Sequence, residues 1–178
     1  MDKLIFFPKE TIEKRIQEIA LQIQKDYIGK KFLLLGVLNG AYMFVADLSR
    51  VLWEHGCRNF EVDFVGISSY GVGIKSSKKP KLTKDISIDI ANRHVLIVED
   101  IIETGFTLQY VYDLLKRRNP LSLKTIVLLS KPEKKQIKRI PEYVGFEVSG
   151  NTWVEGYGLD TGGLGRGSPD IFKRNNMD

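Results

Sequence analysis

The sequence predicts an α/β domain built on a mainly parallel sheet, and three observations carry that reading. The run FLLLGVL over residues 32–38 is continuously apolar at strand length, as a strand covered on both faces must be. HVLIVE over residues 94–99 repeats that pattern. Around both runs apolar residues recur at helical spacing, so strand and helix alternate. With 178 residues and 43% hydrophobic content, the whole chain 1–178 suffices for one domain with a sizeable core.

Each element has its own local justification. Ile12, Ile16, Ile19, Ala20, Ile23 and Tyr27 fall on one helical face, which predicts a helix over 10–27 with Gly29 as its stop. After the strand of 32–38 and the dipeptide Asn39-Gly40, the residues Phe44, Val45, Leu48, Val51 and Leu52 trace a second helix ending before Gly56. FEVDFVGIS over 60–68 alternates enough to form the next strand. Past the strand of 94–99, Leu108, Val111, Tyr112 and Leu115 are spaced i, i+3, i+4, i+7, and RRNP closes this third helix with cations and Pro120. LKTIVLLS over 123–130 and YVGFEV over 143–148 read as further strands. No repeat or low-complexity tract interrupts the series.

One connection breaks the rhythm. Residues 69–93 carry five lysines and two early glycines, and loops longer than about 12 to 15 residues are usually functional lids or disordered. The expectation is a flexible flap over an anionic ligand, with KLTKDISIDI over 81–90 as a hairpin arm.

Composition narrows the partners. The 27 Lys+Arg against 22 Asp+Glu give a net charge of +5, which favours anionic ligands without calling for a nucleic acid. A single cysteine, Cys57, excludes an intrachain disulfide framework and fits a reducing compartment. Before Pro8 the apolar run LIFF is too short for a signal-peptide core, and no later run approaches a membrane span, so a cytoplasmic protein without a membrane partner is expected. His55 and His94 lack spaced ligand partners and read as structural.

The chemistry concentrates in VLIVEDIIETGFTL, residues 95–108. In an open α/β sheet ligands bind outside the carboxyl ends of the strands, which is where this strand delivers Glu99 and Asp100. Thr104, Gly105 and Thr107 then open a helix whose first N–H groups lack intrahelical partners and carry the positive dipole end. Carboxylates suit hydroxyls and the turn suits a phosphate, so the ligand class is a phosphorylated sugar. The competing reading, acids that merely favour a helix dipole, needs no ligand at all.

This stretch resembles the phosphoribosyl pyrophosphate (PRPP) motif of the type I phosphoribosyltransferases, in the form found in the hypoxanthine(-guanine) phosphoribosyltransferases. GVLNGAYMFVADL resembles that family's pyrophosphate loop and following helix, SSYG its flexible-loop start, LLSKPE its purine-recognition lysine, and YVGFEV with WVEGYGLD its C-terminal base-pocket segment. The resemblance implies a twisted parallel sheet flanked by helices, with a small hood built from the termini, a flexible loop over about 69–93 and a base-pocket segment over about 143–178.

It also implies roles for particular residues. Glu99 and Asp100 would bind the ribose hydroxyls, and Glu103, Thr104, Gly105, Phe106 and Thr107 the 5-phosphate. Leu38, Asn39 and Gly40 would line the pyrophosphate, the first peptide bond of that loop being often cis in the family. Lys131 would donate to the purine 6-oxo group, Trp153 would stack on the ring, and the Val154 carbonyl would face the 2-position. Asp160 would hold Mg2+. The flexible loop would begin at Ser69 and Tyr70. Reactants would be PRPP and a purine base, products a nucleoside monophosphate and pyrophosphate, and the assembly a homodimer or homotetramer.

Two departures stand out. The general-base position, commonly Asp in the family, is Glu103 here. The tail after Asp160 reads TGGLGRGSPDIF in place of an aromatic-rich segment, so the family's pyrophosphate-contacting Arg falls on Arg166 if no gap intervenes. The alternative from another class is a PRPP-sensing, nucleic-acid-binding regulator of the same fold, against which the acid at Glu103 argues. LDTGG over 159–163 matches the Asp-Thr-Gly of aspartic proteases, but that chemistry needs paired aspartates on an all-β scaffold.

Overall fold

The computed structural model describes residues 3–68 and 80–174. Its elements follow in the order β1 (Lys3–Phe7), α1 (Lys9–Asp26), β2 (Phe32–Leu38), α2 (Tyr42–Glu54), β3 (Phe60–Ser68), β4 (Lys81–Lys84), β5 (His94–Ile102), α3 (Phe106–Lys116), β6 (Ser122–Ser130), β7 (Tyr143–Glu147), β8 (Trp153–Glu155) and β9 (Ile171–Arg174). A 3-10 turn, Pro132–Lys134, follows β6.

The main sheet has the order β4-β3-β2-β5-β6-β7, and all its pairings are parallel except that of the edge strand β4. β2 and β5 are continuously buried because helices cover both faces. On one face, α1 and α2 pack Ile12, Ile16, Ile19, Ile23, Phe44, Leu48 and Leu52 against Leu34, Leu96 and Val98. On the other, α3 packs Leu108, Val111 and Leu115 against Leu33, Leu35, Val95 and Ile97. The expected strand and helix alternation is thus observed, with helix ends within a few residues of those read from spacing.

This strand order contains a topological switch. From β2 the chain steps outward to β3 and then crosses to β5 on the other side of β2, so a crevice opens between the carboxyl ends of β2 and β5. β5 itself runs to Ile102, further than the apolar run 94–99, so Glu99 and Asp100 lie within its last turns of pleat rather than beyond it. The extra length comes from pairing with β6 as far as Ile102↔Ser130.

The termini build the second layer expected of a hood. β1, β9 and β8 form an antiparallel sheet in that order. Of the connection read as a flexible loop over 69–93, residues 69–79, including Ser69 and Tyr70, lie outside the described residues. Residues from 81 onward are fastened down, which shortens that expectation. β4 pairs with β3, and the buried Asp63 carboxylate accepts from the backbone N–H of Ser87 at 2.6 Å and of Ile88 at 3.2 Å. The hairpin arm expected over 81–90 is therefore a single strand on β3, and its continuation is held by side-chain hydrogen bonds. Among the described residues no helix is long and apolar enough to cross a membrane.

Candidate active site

The crevice at the switch point holds a cavity of about 730 Å3. Its walls come from the ends of β2 and β5, the turn into α3, the end of β6 and the hood. Of the residues singled out in the sequence, Leu38, Asn39, Gly40, Glu99, Asp100, Glu103, Thr104, Gly105, Thr107, Lys131, Trp153, Val154, Asp160 and Arg166 all line it. Phe106 opens α3 next to this wall and does not line the cavity.

The β2–α2 loop sits against the β5 acids through a close approach that only glycine permits. A Cβ on Gly40 would land on the Asp100 carboxylate, and one on Gly158 would land on the Gly40 carbonyl. Three segments far apart in sequence therefore stack at van der Waals distance. The Leu38–Asn39 peptide bond is cis, as the resemblance implied.

Glu99 and Asp100 are an unusual pair. Glu99 is buried, and its Oε2 is without a hydrogen-bond partner. Burial, and then the neighbouring Asp100 charge, push the Glu99 carboxyl well above the ordinary carboxylate range. Burial raises Asp100 too, though the Ile101 N–H at 2.8 Å and the Arg166 charge partly offset this. Buried carboxylates with spare acceptor capacity are costly in the free protein and fit a ligand that brings hydroxyls or a cation.

Past the acids, Gly105 adopts a left-handed φ of 86° as the N-cap of α3 and turns the chain so that the helix N-terminus faces the cavity. The opposite wall is fixed by sheet register. The Lys131 N–H donates to the Ile102 carbonyl at 2.8 Å, which brings the end of β6 beside the end of β5. The Lys131 side chain, 3% exposed, forms a hydrogen-bonded ion pair with Glu103. The Glu103 side chain remains 45% exposed toward the cavity.

Asp160 and Arg166 meet on the hood side. Arg166 Nη2 stands 2.6 Å from Asp160 Oδ1, its Nη1 donates to the Gly158 carbonyl at 2.6 Å, and Asp160 Oδ2 accepts from the Gly163 N–H at 2.7 Å. The Gly-rich segment therefore folds back so that Arg166 does enter the cavity wall. Among the described residues no cluster of three His, Cys, Asp or Glu side chains is preformed for a metal. Carboxylate oxygens of Glu99, Asp100 and Asp160 are nevertheless the hard donors that Mg2+ selects, and Mg2+ takes most of its other ligands from water and substrate phosphates.

Sequence reasoning missed part of the wall. Val37, Gly66, Thr83, Lys84 and Leu159 also line the cavity. Lys84 donates to the Phe64 carbonyl at 2.7 Å and stands 3.3 Å from Asp63, so one lysine of the basic connection is committed to the sheet edge. Only the three-dimensional pairing of β4 with β3 reveals this. The two histidines are engaged structurally, His94 with the Ser122 hydroxyl at 2.7 Å and His55 with Gln17 at 2.5 Å.

Known proteins resemble this chain in sequence and in fold. Residues 6–161 match the family model of the phosphoribosyl transferase domain. A hypoxanthine-guanine phosphoribosyltransferase of Aquifex aeolicus is 38% identical over 169 residues, covering 94% of this chain and 92% of its own. A hypoxanthine phosphoribosyltransferase of Haemophilus influenzae is 39% identical over 159 residues, covering 88% of this chain and 86% of its own. The structure of the Trypanosoma cruzi hypoxanthine phosphoribosyltransferase in complex with the product IMP superposes with a TM-score of 0.87 at 38% identity, over 97% of this chain and 93% of that one. A glutamic acid mutant from an analysis of an invariant aspartic acid in such enzymes superposes with a TM-score of 0.87 at 40% identity, over 97% and 94%.

Proposed function

The chain belongs to the phosphoribosyl transferase family, in its hypoxanthine(-guanine) branch, and from that premise we propose how its pocket works in purine salvage. It transfers the 5-phosphoribosyl group of PRPP to hypoxanthine or guanine, giving IMP or GMP and pyrophosphate. The observation that carries the reading is the buried Glu99, one carboxyl oxygen of which has no hydrogen-bond partner, next to Asp100 at the switch point and beside the N-terminus of α3.

In this reading the two carboxylates accept from the ribose hydroxyls, and the backbone of residues 103–107 with the Thr104 and Thr107 hydroxyls holds the 5-phosphate. Leu38, Asn39, Gly40 and Arg166 border the pyrophosphate. Trp153 stacks on the purine, Lys131 donates to its 6-oxo group, and the Val154 carbonyl faces the 2-position. Bond making and breaking balance at the anomeric carbon: purine N9 forms the new bond, the bond to pyrophosphate oxygen breaks, and Glu103 takes the N7 proton. When bound, Mg2+ held by Asp160 and substrate oxygens supplies charge neutralisation for the leaving group.

Lys131 and Glu103 must part for this to happen. An arriving 6-oxo group takes over the Lys131 ammonium, and the released carboxylate is left beside N7. The enzyme acts in the cytoplasm as a homodimer or homotetramer.

The test is an assay with PRPP and hypoxanthine, guanine, xanthine or adenine, with and without Mg2+, following nucleoside monophosphate formation. Mg2+-dependent formation of IMP or GMP is expected. Absence of any nucleotide from all four bases would refute the reading.

A further inference from the structure

The turn that opens α3 is backed by a segment from beyond β6. After the 3-10 turn, the Gln136 N–H donates to the Thr104 carbonyl at 3.0 Å. Together with the Lys131 N–H on the Ile102 carbonyl at 2.8 Å, this fastens the chain on both sides of Glu103. The next side chain, Ile137, is half-buried against the core cluster under α3 and lies over Gly105: a Cβ added to Gly105 would stand 2.5 Å from Ile137 Cγ1. Two residues on, the Arg139 guanidinium stacks 3.2 Å from the centre of the Tyr112 ring, further along the same helix. Thr104 and Gly105 line the cavity, whereas Gln136, Ile137 and Arg139 do not.

Peptide geometry makes this contact directional. A trans peptide is planar, with its C=O and N–H pointing opposite ways. Among the described residues the cis bond is Leu38–Asn39, so the Thr104–Gly105 peptide is trans. Tying the Thr104 carbonyl to residue 136 therefore turns the Gly105 N–H away from that segment, and the Gly105 carbonyl is held in turn by the Gln109 N–H at 2.9 Å. Gly105, at a φ of 86° and without a side chain, has wide conformational freedom of its own. Only its neighbours narrow it, and Ile137 does so by filling the space on one side. A backbone donor left free to reorient must be ordered when an anion arrives, at a cost to affinity.

We propose that Ile137 is a positioning residue which, with the Gln136 N–H, holds the Thr104–Gly105 turn in the conformation that receives the 5-phosphate. The proposal rests on the reading of residues 103–107 as the 5-phosphate site. Neither Gln136 nor Ile137 touches the phosphate; both act through the turn.

The test compares IMP with inosine, which carries the same base and ribose without the phosphate. Dissociation constants for both are measured with the parent, Ile137→Ala, Ile137→Val and Gln136→Pro. The proline variant removes the one N–H that reaches Thr104, so the experiment does not depend on Ile137→Ala folding. Lys135 before it is already extended at ψ 126°, as a following proline requires. Ile137→Ala and Gln136→Pro should each weaken IMP roughly 3- to 10-fold with inosine within about twofold, so that the preference for the phosphorylated ligand shrinks. Ile137→Val keeps a branched side chain over Gly105 and should behave as the parent. A loosened fold alone would weaken both ligands together; that result, or an unaltered preference in either folded variant, overturns the proposal. Gly105→Ala, whose Cβ would strike Ile137, separates the two ideas. If it too leaves the preference unaltered, the phosphate reading of residues 103–107 itself fails. If it reduces the preference while Ile137→Ala does not, only the positioning role fails.

Discussion

Two pairs of side chains line the cavity, and they are prepared in opposite ways. Glu99 and Asp100 are neighbouring carboxyls whose proton affinity burial raises, and buried Glu99 keeps one oxygen without a partner. Glu103 and Lys131 are opposite charges already bonded to each other, with the carboxylate near solvent. The first pair is costly until a ligand arrives, and the second is satisfied until a ligand separates it. In the proposed function, sugar binding would be favoured by relieving a cost built into the fold, while base binding would compete with an internal ion pair. That competition would favour a base whose 6-substituent accepts from an ammonium.

Substitutions that break one pair and spare the other sharpen this contrast. Glu103→Gln removes the proposed base and should lower turnover roughly 10²- to 10⁴-fold, with PRPP affinity little changed; pre-steady-state product formation and PRPP titration measure the two halves. Glu103→Asp should retain far more activity. Lys131→Met leaves Glu103 unpaired and removes the 6-oxo donor, so kcat/KM for hypoxanthine should drop roughly 10²- to 10³-fold. Equal loss of PRPP affinity in that variant would mean that the two pairs are not separable. Gly40→Ala attacks the other side, because its Cβ would displace the Asp100 carboxylate. The PRPP KM should rise on the order of 10- to 100-fold, as misplacements of about an ångström do.

The smallest effect is thermal. Glu99→Gln removes one of two crowded titratable carboxyls, so the unliganded variant should melt about 2–4 °C above the parent once the pH exceeds the ordinary carboxylate range, the shift expected for about 1 kcal/mol at this size. Its sign with pH follows from the raised carboxyls. The folded chain keeps protons that the unfolded chain releases at the ordinary values of 3.8 and 4.5. Parent stability attributable to this pair therefore falls as pH climbs above about 4.5 toward the raised folded values, and the gap in Tm should widen over that interval. Differential scanning calorimetry of both proteins from pH 4 upward checks it. A constant gap would show that the pair stays ionised throughout.

What was legible in the sequence was what is local. The strands β2, β5 and β6 announce themselves because burial on both faces makes them continuously apolar, and the acids, glycine and threonines of residues 99–107 are contiguous. The Lys131–Glu103 ion pair was not legible, since it depends on the parallel register of β5 with β6 across 28 residues. β1 and β9 are short, partly exposed strands that pair between the chain ends, so no local pattern marks them. The hood came from family resemblance alone. Asp63 reads as one acid in an alternating strand, yet its place on β3 lets it fasten the residues after β4. Glu155 similarly looks like a solvent-side residue until β1 and β9 enclose it.

The ratio of kcat/KM for hypoxanthine to that for adenine tests the account most directly, because ring size barely differs and only the 6-substituent meets Lys131. A ratio of at least about 10³ is predicted, since a 6-amino group offers no acceptor to draw the Lys131 ammonium away from Glu103. Adenine used as readily as hypoxanthine would contradict the role of Lys131 and the base-side half of the site.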